Sequence, residues 1–206
     1  MKKWIELKSI AVPWTMPNVD TGSIITMERL LLNPDNLDKY AFEPFRYIDG
    51  DGDKGELNME FPLNKPQFRG AKIMIVGENF GCGSSRESAP EAISKMNFRC
   101  LIGNSFGSIF EKNCYQKGIL PIKLHLDMIK RLSELANNLG KFTVDLKKSI
   151  IITPDNQVID FHIDKIQQKY LIEGKDIIDE TLSHIESIEH YIKNDRINRP
   201  WIYSTK

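Results

Sequence analysis

One glycine-rich stretch constrains more strongly than any other feature what this chain can fold into and bind. Residues 77–87 read Gly-Glu-Asn-Phe-Gly-Cys-Gly-Ser-Ser-Arg-Glu, between the apolar run 71–76 and a helical pattern that starts near Ser88. This order predicts a strand, a sharp turn and the beginning of a helix. Glycines let a backbone turn sharply and approach a ligand closely, and a helix N-terminus offers free N–H groups to an anion. The stretch therefore predicts an anion-binding turn.

The side chains of this turn argue against several known glycine-rich motifs and limit the kind of anion that the turn can bind. A P-loop requires a Lys followed by Ser or Thr, and no Lys occurs between Gly77 and Ser94. Arg86 stands where a dinucleotide fingerprint has its third glycine, and no glycine follows either serine at the distance that a nucleophile elbow requires. Two hydroxyls and one guanidinium remain, and a guanidinium binds a carboxylate through two parallel hydrogen bonds. The residues alone leave two interpretations open, a site for a small carboxylate or a serine-capped turn with a surface arginine.

The composition argues against several classes of protein. The chain has 206 residues, of which 28 are basic and 28 acidic, so its formal net charge of zero does not favour nucleic acid or an anionic membrane as a partner. Cys82, Cys100 and Cys114 show no Cys-x-x-Cys spacing, which argues against a disulfide framework or a metal site held by this chain alone. No apolar run has the length of a signal-peptide core or of a membrane span. We expect a cytoplasmic protein.

The apolar pattern predicts alternating strands and helices. Four runs read as strands, and they lie at 4–12, 71–76, 99–102 and 119–122. The helices between the last three lie at 88–97 and 105–117. A strand–helix–strand series of this kind connects parallel neighbours in a sheet. The C-terminal part predicts a helix at 125–139, strands at 142–146, 149–153 and 158–163, and helices at 164–172 and from about 176 to 193. The simplest interpretation is a single α/β domain over residues 1–206.

The start of the central helix presents two overlapping capping boxes. They are Ser84-x-x-Glu87 and Ser88-x-x-Glu91. Pro90 would lie inside a helix capped at Ser84, but it would lie in the first turn of a helix capped at Ser88. We therefore expect Ser88 to be the N-cap.

Two other segments carry local signals. Ile24-Ile25 reads as a short strand. Residues 49–53, Asp-Gly-Asp-Gly-Asp, present oxygens at alternate positions as a calcium loop does, but the closing Glu of such a loop is missing. We expect the acidic segment to be a surface turn.

The ten residues 78–87 resemble the signature of the family of 3-isopropylmalate dehydratase (isopropylmalate isomerase) small subunits, which belongs to the aconitase superfamily. Residues 18–21 together with Ile24-Ile25 are similar to the N-terminal motif of that family. Further similar segments follow in the same order, at 104–106, 109–110, 113, 120–124, 161–164 and 174–176. The resemblance therefore extends over the whole chain.

The resemblance implies a fold and a partner. The fold would be a swivelling β/β/α domain of the aconitase C-terminal type, with a mixed sheet flanked by helices. The partner would be a separate large subunit that carries a four-iron–four-sulfur cluster, since the cysteines of this chain lack the spacing for one. In the family, one iron acts as a Lewis acid on the hydroxyl of a hydroxy-diacid. The implied reaction is the isomerisation of 2-isopropylmalate to 3-isopropylmalate in leucine biosynthesis, by dehydration and rehydration.

The resemblance also implies roles for five residues. Ser84 would be the catalytic base and would act as an alkoxide. Ser85 and Arg86 would hold a carboxylate of the substrate, and Asp20 and Thr21 of the N-terminal motif would complete the substrate-binding set. A serine has no such basicity in water, so desolvation, N–H donors and positive charge must stabilise the alkoxide.

Three departures from the family pattern lie near this site. The family usually has His where this chain has Ser88, and Asp where it has Gly22; the segment 30–45 replaces a basic, glycine-containing substrate loop. Two alternatives therefore stay open beside the isopropylmalate assignment. One is the same chemistry on another hydroxy-diacid, of the citraconate/methylmalate or dimethylmalate type. The other is a non-catalytic paralogue that serves as an assembly partner.

Overall fold

The computed structural model describes residues 3–203, which divide into two compact units. The first extends through Gly174 and the second starts at Lys175. Each unit is described by itself. The single domain expected over residues 1–206 stays a prediction.

A seven-stranded sheet forms the centre of the first unit, in the order β4-β3-β2-β1-β5-β6-β7. The strands are β1 (Glu6–Trp14), β2 (Ile73–Val76), β3 (Cys100–Gly103), β4 (Leu120–Lys123), β5 (Lys141–Asp145), β6 (Ile150–Ile152) and β7 (Val158–Asp160). The first four strands are parallel to one another, and the last three add antiparallel neighbours beside β1. This mixed sheet confirms the predicted fold class.

Strand β1 joins the two halves of the sheet because its two ends have different partners. Residues 6–10 pair antiparallel with β5, and residues 11–14 pair parallel with β2. The strand continues through Pro13, where we expected it to end. From Ala11 onwards β1 has a ladder partner on one side only, and a strand that is unpaired on one side tolerates a residue without an N–H.

Helices of one to three turns surround the sheet. They are α1 (Thr21–Ile24), α2 (Met27–Leu32), α3 (Leu37–Tyr40), α4 (Glu43–Arg46), α5 (Ser88–Lys95), α6 (Ser108–Gln116), α7 (Leu126–Asn137) and α8 (Lys165–Glu173). Short 3₁₀ turns lie at Pro34–Asn36, Pro62–Asn64 and Pro66–Phe68. The strand expected at Ile24-Ile25 is wrong, because the Asp20 side chain caps a helical turn that begins at Thr21. No helix within residues 3–203 is both long and apolar enough to cross a membrane.

The parallel half of the sheet is buried on both faces, as its continuous apolar strands require. Met74 of β2 belongs to one core and its neighbour Ile75 to the other. The first core includes Trp14, whose ring centroid lies 5.0 Å from that of Phe61 and 6.2 Å from that of Phe80. Phe80 belongs to the glycine-rich stretch, so its packing in the first core holds that stretch against the sheet.

The second unit consists of two helices and a final 3₁₀ turn. They are α9 (Ile177–Leu182), α10 (Ile185–Asn198) and Pro200–Ile202. We expected one helix here, but the chain breaks after Leu182, where the amide of Ser183 donates to the carbonyls of Asp179 and Glu180. Asp195 is buried in this unit and accepts hydrogen bonds from Arg199 Nε at 2.6 Å and from the Tyr203 hydroxyl at 2.7 Å.

Candidate active site

Three loops meet at the carboxyl edge of the parallel strands. The glycine-rich stretch after β2 lies between the loops that follow β1 and β3, and it is hydrogen-bonded to both. On one side the amide of Gly81 donates to the Val19 carbonyl at 2.7 Å, and the amide of Thr21 donates to the Cys82 carbonyl at 2.9 Å. On the other side the amide of Phe80 donates to the Ser105 carbonyl at 3.1 Å. The carboxyl edge of parallel strands is where α/β proteins usually bind ligands.

At two positions of the stretch, other parts of the protein lie so close that a side chain would not fit. Gly81 has a φ of +73°, and a Cβ there would lie 2.2 Å from the ring of Phe110. A Cβ on Gly77 would lie 2.3 Å from the carbonyl oxygen of Met16. The sequence predicted that these glycines let the backbone approach a ligand closely. At Gly77 and Gly81 the groups that come close belong to the protein itself, a neighbouring loop and the ring of Phe110.

Ser84 is joined to the N-terminal motif through Thr21. Thr21 is only 1% exposed, whereas Ser84 and Ser85 are both exposed. The Thr21 hydroxyl lies 3.0 Å from the Ser84 hydroxyl oxygen and 3.2 Å from the Ser84 carbonyl oxygen. The structure thus brings together two residues that are 63 positions apart and that the family resemblance placed in one site.

Asp20 positions Thr21 by capping the short helix α1. One carboxylate oxygen accepts from the amides of Gly22 at 2.7 Å and Ser23 at 3.0 Å, and the other accepts from the Ser23 hydroxyl at 2.7 Å. Partial burial raises the pKa of Asp20, but the hydrogen bonds from Ser23 and Gly22 outweigh it and leave the pKa below its usual value. Asp20 is therefore an ionised cap, and its predicted contact with substrate stays a prediction.

Arg86 is half-buried and rests on the other end of the same helix. Its Nη1 donates to the carbonyl of Ile25, the C-cap of α1, at 3.0 Å. Within residues 3–203 no carboxylate forms an ion pair with this guanidinium. A Cβ on Gly22 would lie 2.9 Å from Asp20 Oδ1 and 3.3 Å from Arg86 Nη1, so the missing side chain at position 22 lets the Asp20 carboxylate and the guanidinium approach each other closely. Arg86 is therefore held in place and still available to a carboxylate. No sequence signal pointed to the Ile25 carbonyl as the partner of Arg86.

The N-terminus of α5 contributes less to anion binding than the sequence predicted. The N-cap is Glu87, which already has helical backbone angles and makes no side-chain cap, so the expectation that Ser88 is the cap is wrong. Pro90 lies in the first turn, as expected, and has no N–H to offer. The amides of Ala89 and Glu91 donate to carbonyls of the preceding turn, at 3.4 and 3.2 Å. The anion binding predicted for this stretch would therefore depend on Arg86 and the two serine hydroxyls, and it stays a prediction.

The acidic turn at 49–53 has a cation partner that the sequence did not reveal. Arg29 of α2 donates to Glu43 at 2.6 Å and to Asp53 at 2.7 Å, and it lies 3.5 Å from Asp51. The amide of Gly52 also donates to the Glu43 carboxylate, at 2.6 Å. Within residues 3–203 no group of three or more His, Cys, Asp or Glu side chains is arranged to hold a metal ion. Two of the three carboxylates that resemble a calcium loop, those of Asp51 and Asp53, thus lie beside a guanidinium.

Comparisons with known proteins agree with this geometry. The aconitase C-terminal domain family matches residues 1–127. The small subunit of 3-isopropylmalate dehydratase from Granulibacter bethesdensis is 38% identical over 98% of this chain and 96% of its own length. The corresponding subunit from Paramagnetospirillum magneticum is 39% identical over 98% of this chain and all of its own.

A solved structure points to the same family. The crystal structure of 3-isopropylmalate dehydratase from Methanocaldococcus jannaschii superposes with a TM-score of 0.61 at 26% identity, and it covers 90% of this chain and 99% of that one. The resemblance inferred from residues 78–87 is thereby confirmed. The chain belongs to the family of 3-isopropylmalate dehydratase small subunits and has the fold of the aconitase C-terminal domain.

Proposed function

We propose that this chain is the small subunit of a heteromeric hydro-lyase that interconverts 2-isopropylmalate and 3-isopropylmalate in leucine biosynthesis, in the cytoplasm. The names of its relatives support this function. The observation that carries it is the joining of Ser84, Thr21 and Arg86 around one four-residue helix, α1. A candidate base and a carboxylate-binding guanidinium are thereby held together at the carboxyl edge of the sheet.

This chain supplies only part of the proposed active site, and a second chain must supply the rest. Ser84 and Ser85 are exposed, and a serine in contact with water is not a base, because its alkoxide is stable only when water is excluded and donors surround it. A second chain must therefore cover Ser84. We assign this task to a large subunit, since the term small subunit in the names of the relatives implies one.

The cysteines of this chain do not fit an iron–sulfur cluster. Cys100 and Cys114 are fully buried, and burial raises the pKa of both thiols well above the usual value, whereas a cluster requires thiolates. Cys82 is the third cysteine and lies in the glycine-rich stretch. We therefore place the four-iron–four-sulfur cluster on the large subunit. When bound there, it supplies a Lewis acid for the hydroxyl that leaves the substrate.

The residues of this chain then perform the proton transfer and the binding. The Ser84 alkoxide takes the proton from the carbon next to the hydroxyl-bearing carbon, and the electron pair of that C–H bond becomes the second bond of the enoic diacid as hydroxide departs. In rehydration Ser84 returns the proton to the carbon that had carried the hydroxyl, and hydroxide adds to the carbon that had lost the proton. This step regenerates the alkoxide. Arg86 and the Ser85 hydroxyl hold a carboxylate throughout, so that the intermediate stays in place between the two steps.

Reconstitution with a cluster-loaded large subunit from the same genome tests this function. We expect turnover of 2-isopropylmalate, and a loss of at least about a thousandfold in kcat for Ser84→Ala, since the base is removed. Ser108→Ala, an exposed serine at the start of α6, is the matched control and should keep full activity. Full turnover by Ser84→Ala would contradict the role of Ser84 as base. Failure to complement a leucine auxotroph that lacks its small subunit, despite assembly, would contradict the isopropylmalate assignment.

One observation favours a second candidate, the same reaction on a different hydroxy-diacid. Gly22 lies next to the Arg86 guanidinium, where the family pattern has an aspartate, so this chain lacks that carboxylate beside the proposed substrate clamp. The changed charge at this point favours a hydroxy-diacid with a different side chain, as in methylmalate or dimethylmalate. Turnover measured over a panel of hydroxy-diacids separates the two candidates by their ratio of kcat/KM. Absence of turnover over the whole panel, with an assembled complex, would favour the non-catalytic assembly partner.

A further inference from the structure

The hydroxyl of Thr21 is buried beneath the exposed Ser84. Thr21 is 1% exposed, and its Oγ1 faces two oxygens of Ser84, the hydroxyl at 3.0 Å and the carbonyl at 3.2 Å. Its side chain therefore has little surface with which to contact a substrate. It contacts the proposed base instead.

The protons of the two hydroxyls allow only a few arrangements. A threonine hydroxyl has one hydrogen to donate. When Thr21 donates to the Ser84 carbonyl, which can only accept, the Ser84 hydroxyl is free to donate its own hydrogen to Thr21 Oγ1. When Ser84 has lost its proton, its Oγ can only accept, and Thr21 can turn its hydrogen to that oxygen. A rotation about the Cβ–Oγ1 bond converts one arrangement into the other without moving a heavy atom.

Backbone hydrogen bonds hold Thr21 in place next to Ser84 before any partner binds. The amide of Thr21 donates to the Cys82 carbonyl at 2.9 Å, and the Thr21 carbonyl accepts from the amide of Ile25 at 3.0 Å. Asp20 caps the helix that begins at Thr21. A donor that is held in place in advance costs little reorganisation when charge develops.

We propose that Thr21 is a positioning residue that stabilises the Ser84 alkoxide, by switching its hydroxyl hydrogen from the Ser84 carbonyl to Ser84 Oγ. This role rests on the proposed function of Ser84 as base. It revises the expectation that Thr21 binds the substrate. The switch balances without a further reactant, because the proton that Ser84 takes from the substrate returns to the substrate on rehydration.

Other charged groups near the pair have partners or lie on the surface. Asp20 is committed to the amides of α1, Arg86 to the Ile25 carbonyl, and Glu87 is exposed. The ionisable groups on the helices packed against α1 are Glu91, paired with Lys95 and Lys117, Glu43, paired with Arg29, and Arg46. Cys82 and the exposed Glu78 are the remaining ionisable groups on the loop of Ser84. The Thr21 hydroxyl is the one hydrogen-bond partner that the described residues offer to Ser84 Oγ.

The test compares Thr21→Val with Thr21→Ser in the reconstituted complex. Val keeps the shape and removes the donor, so we expect kcat/KM near neutral pH to fall about tenfold to a hundredfold. The acid limb of the pH profile should move up by about one unit or more, and the loss should shrink as the pH rises. Thr21→Ser keeps the donor and should stay within about threefold of the wild type with the same profile. If Thr21→Val does not fold, Thr21→Ala provides a second variant without the donor.

Ser23→Ala is the matched control, because it removes a neighbouring hydroxyl that bonds to Asp20 and not to Ser84. It should leave the pH profile unchanged. An equal loss at every pH in Thr21→Val would indicate a structural role, and a raised KM with an unchanged kcat would indicate a substrate ligand; either result overturns the proposal. A wild-type profile in Thr21→Val, with activity lost in Ser84→Ala, overturns this inference alone. Wild-type activity in Ser84→Ala overturns the proposed role of Ser84 as base as well.

Discussion

Two arginines of this protein, Arg29 and Arg86, differ in their partners: Arg29 is paired with carboxylates of the protein itself, and Arg86 is proposed to bind a carboxylate of the substrate. The guanidinium of Arg29 is surrounded by carboxylates, from Glu43 at 2.6 Å, Asp53 at 2.7 Å and Asp51 at 3.5 Å. Among the residues that the structure describes, the guanidinium of Arg86 has one neutral partner, the Ile25 carbonyl at 3.0 Å. Arg29 is therefore saturated by the protein itself, whereas Arg86 is anchored and keeps its charge available for a ligand.

The difference lies in what surrounds each guanidinium. Arg29 has a side chain that is 13% exposed, and its main partner Glu43 is 5% exposed, so neither charge is tolerated alone. Arg86 lies at a surface that we expect a second subunit to cover. An unpaired charge at a future interface costs little while it is hydrated, and it becomes a strong carboxylate ligand once water is excluded.

Removal of Arg29 should produce the largest change, and the change should be in stability. Arg29→Ala leaves the buried Glu43 carboxylate without its cation, so we expect the free energy of unfolding to fall by about 3–5 kcal/mol. Urea denaturation of the isolated subunit measures this. Lys54→Ala, an exposed residue on the same loop, should change it by less than about 0.5 kcal/mol.

A double substitution sharpens the interpretation of Arg29. Arg29→Met combined with Glu43→Gln removes both charges and should recover part of the loss, because no buried carboxylate is left unpaired. If the loss of stability in the double variant equalled the sum of the losses in the two single variants, the two side chains would not be coupled.

Removal of Arg86 should affect activity and leave stability nearly unchanged. Arg86→Ala deletes the donor of the proposed carboxylate contact, so kcat/KM of the reconstituted enzyme should fall by about 10²–10³, or roughly 3–4 kcal/mol. The denaturation midpoint of the isolated subunit should stay close to that of the wild type. Arg86→Lys should recover only a small part, because an ammonium cannot form the paired hydrogen bonds. A stability loss comparable to that of Arg29→Ala would break the contrast between the two arginines.

Acid should weaken the Arg29 cluster selectively. Hydrogen bonds from Tyr40, Lys39 and Arg29 lower the pKa of Asp53 below its usual value. A carboxyl group whose pKa is lowered in the folded state stabilises that state above its unfolded pKa of about 3.9, and this contribution is lost as the pH falls further. The urea midpoint should therefore drop as the pH falls below about 4, and Asp53→Asn should drop less. Asp35→Asn, an exposed control, should show the full wild-type drop.

The smallest effect is expected from adding a carboxylate at position 22, beside Arg86. In Gly22→Asp the Cβ would lie 3.3 Å from Arg86 Nη1, so the new carboxylate can pair with the guanidinium and compete with the substrate. Pairs of this exposure contribute about 0.2–1 kcal/mol, which predicts a rise in KM of up to about fivefold. Gly22→Ala separates the steric effect, since a Cβ at this position also lies 2.9 Å from Asp20 Oδ1. An equal rise in both variants would remove charge as the explanation.

Local sequence signals predicted the elements better than their ends or partners. The apolar run 71–76 and its neighbours predicted the parallel strands, because buried strands carry continuous apolar residues. The capping residue of α5 and the strand at Ile24-Ile25 were predicted wrongly. In both places a short polar side chain and its neighbours permit two conformations, and the loops that pack around them select one.

The fold class, the family and the glycine-rich turn could be read from the amino-acid sequence, because they depend on apolar periodicity and on residues that are adjacent in the chain. The partners of each side chain in the turn could be read only from the folded structure. It joined Thr21 to Ser84 across 63 positions, left Arg86 with a carbonyl partner, and placed Arg29 among the acidic residues of 49–53. Such choices depend on which side chains meet in space, and no local pattern specifies that.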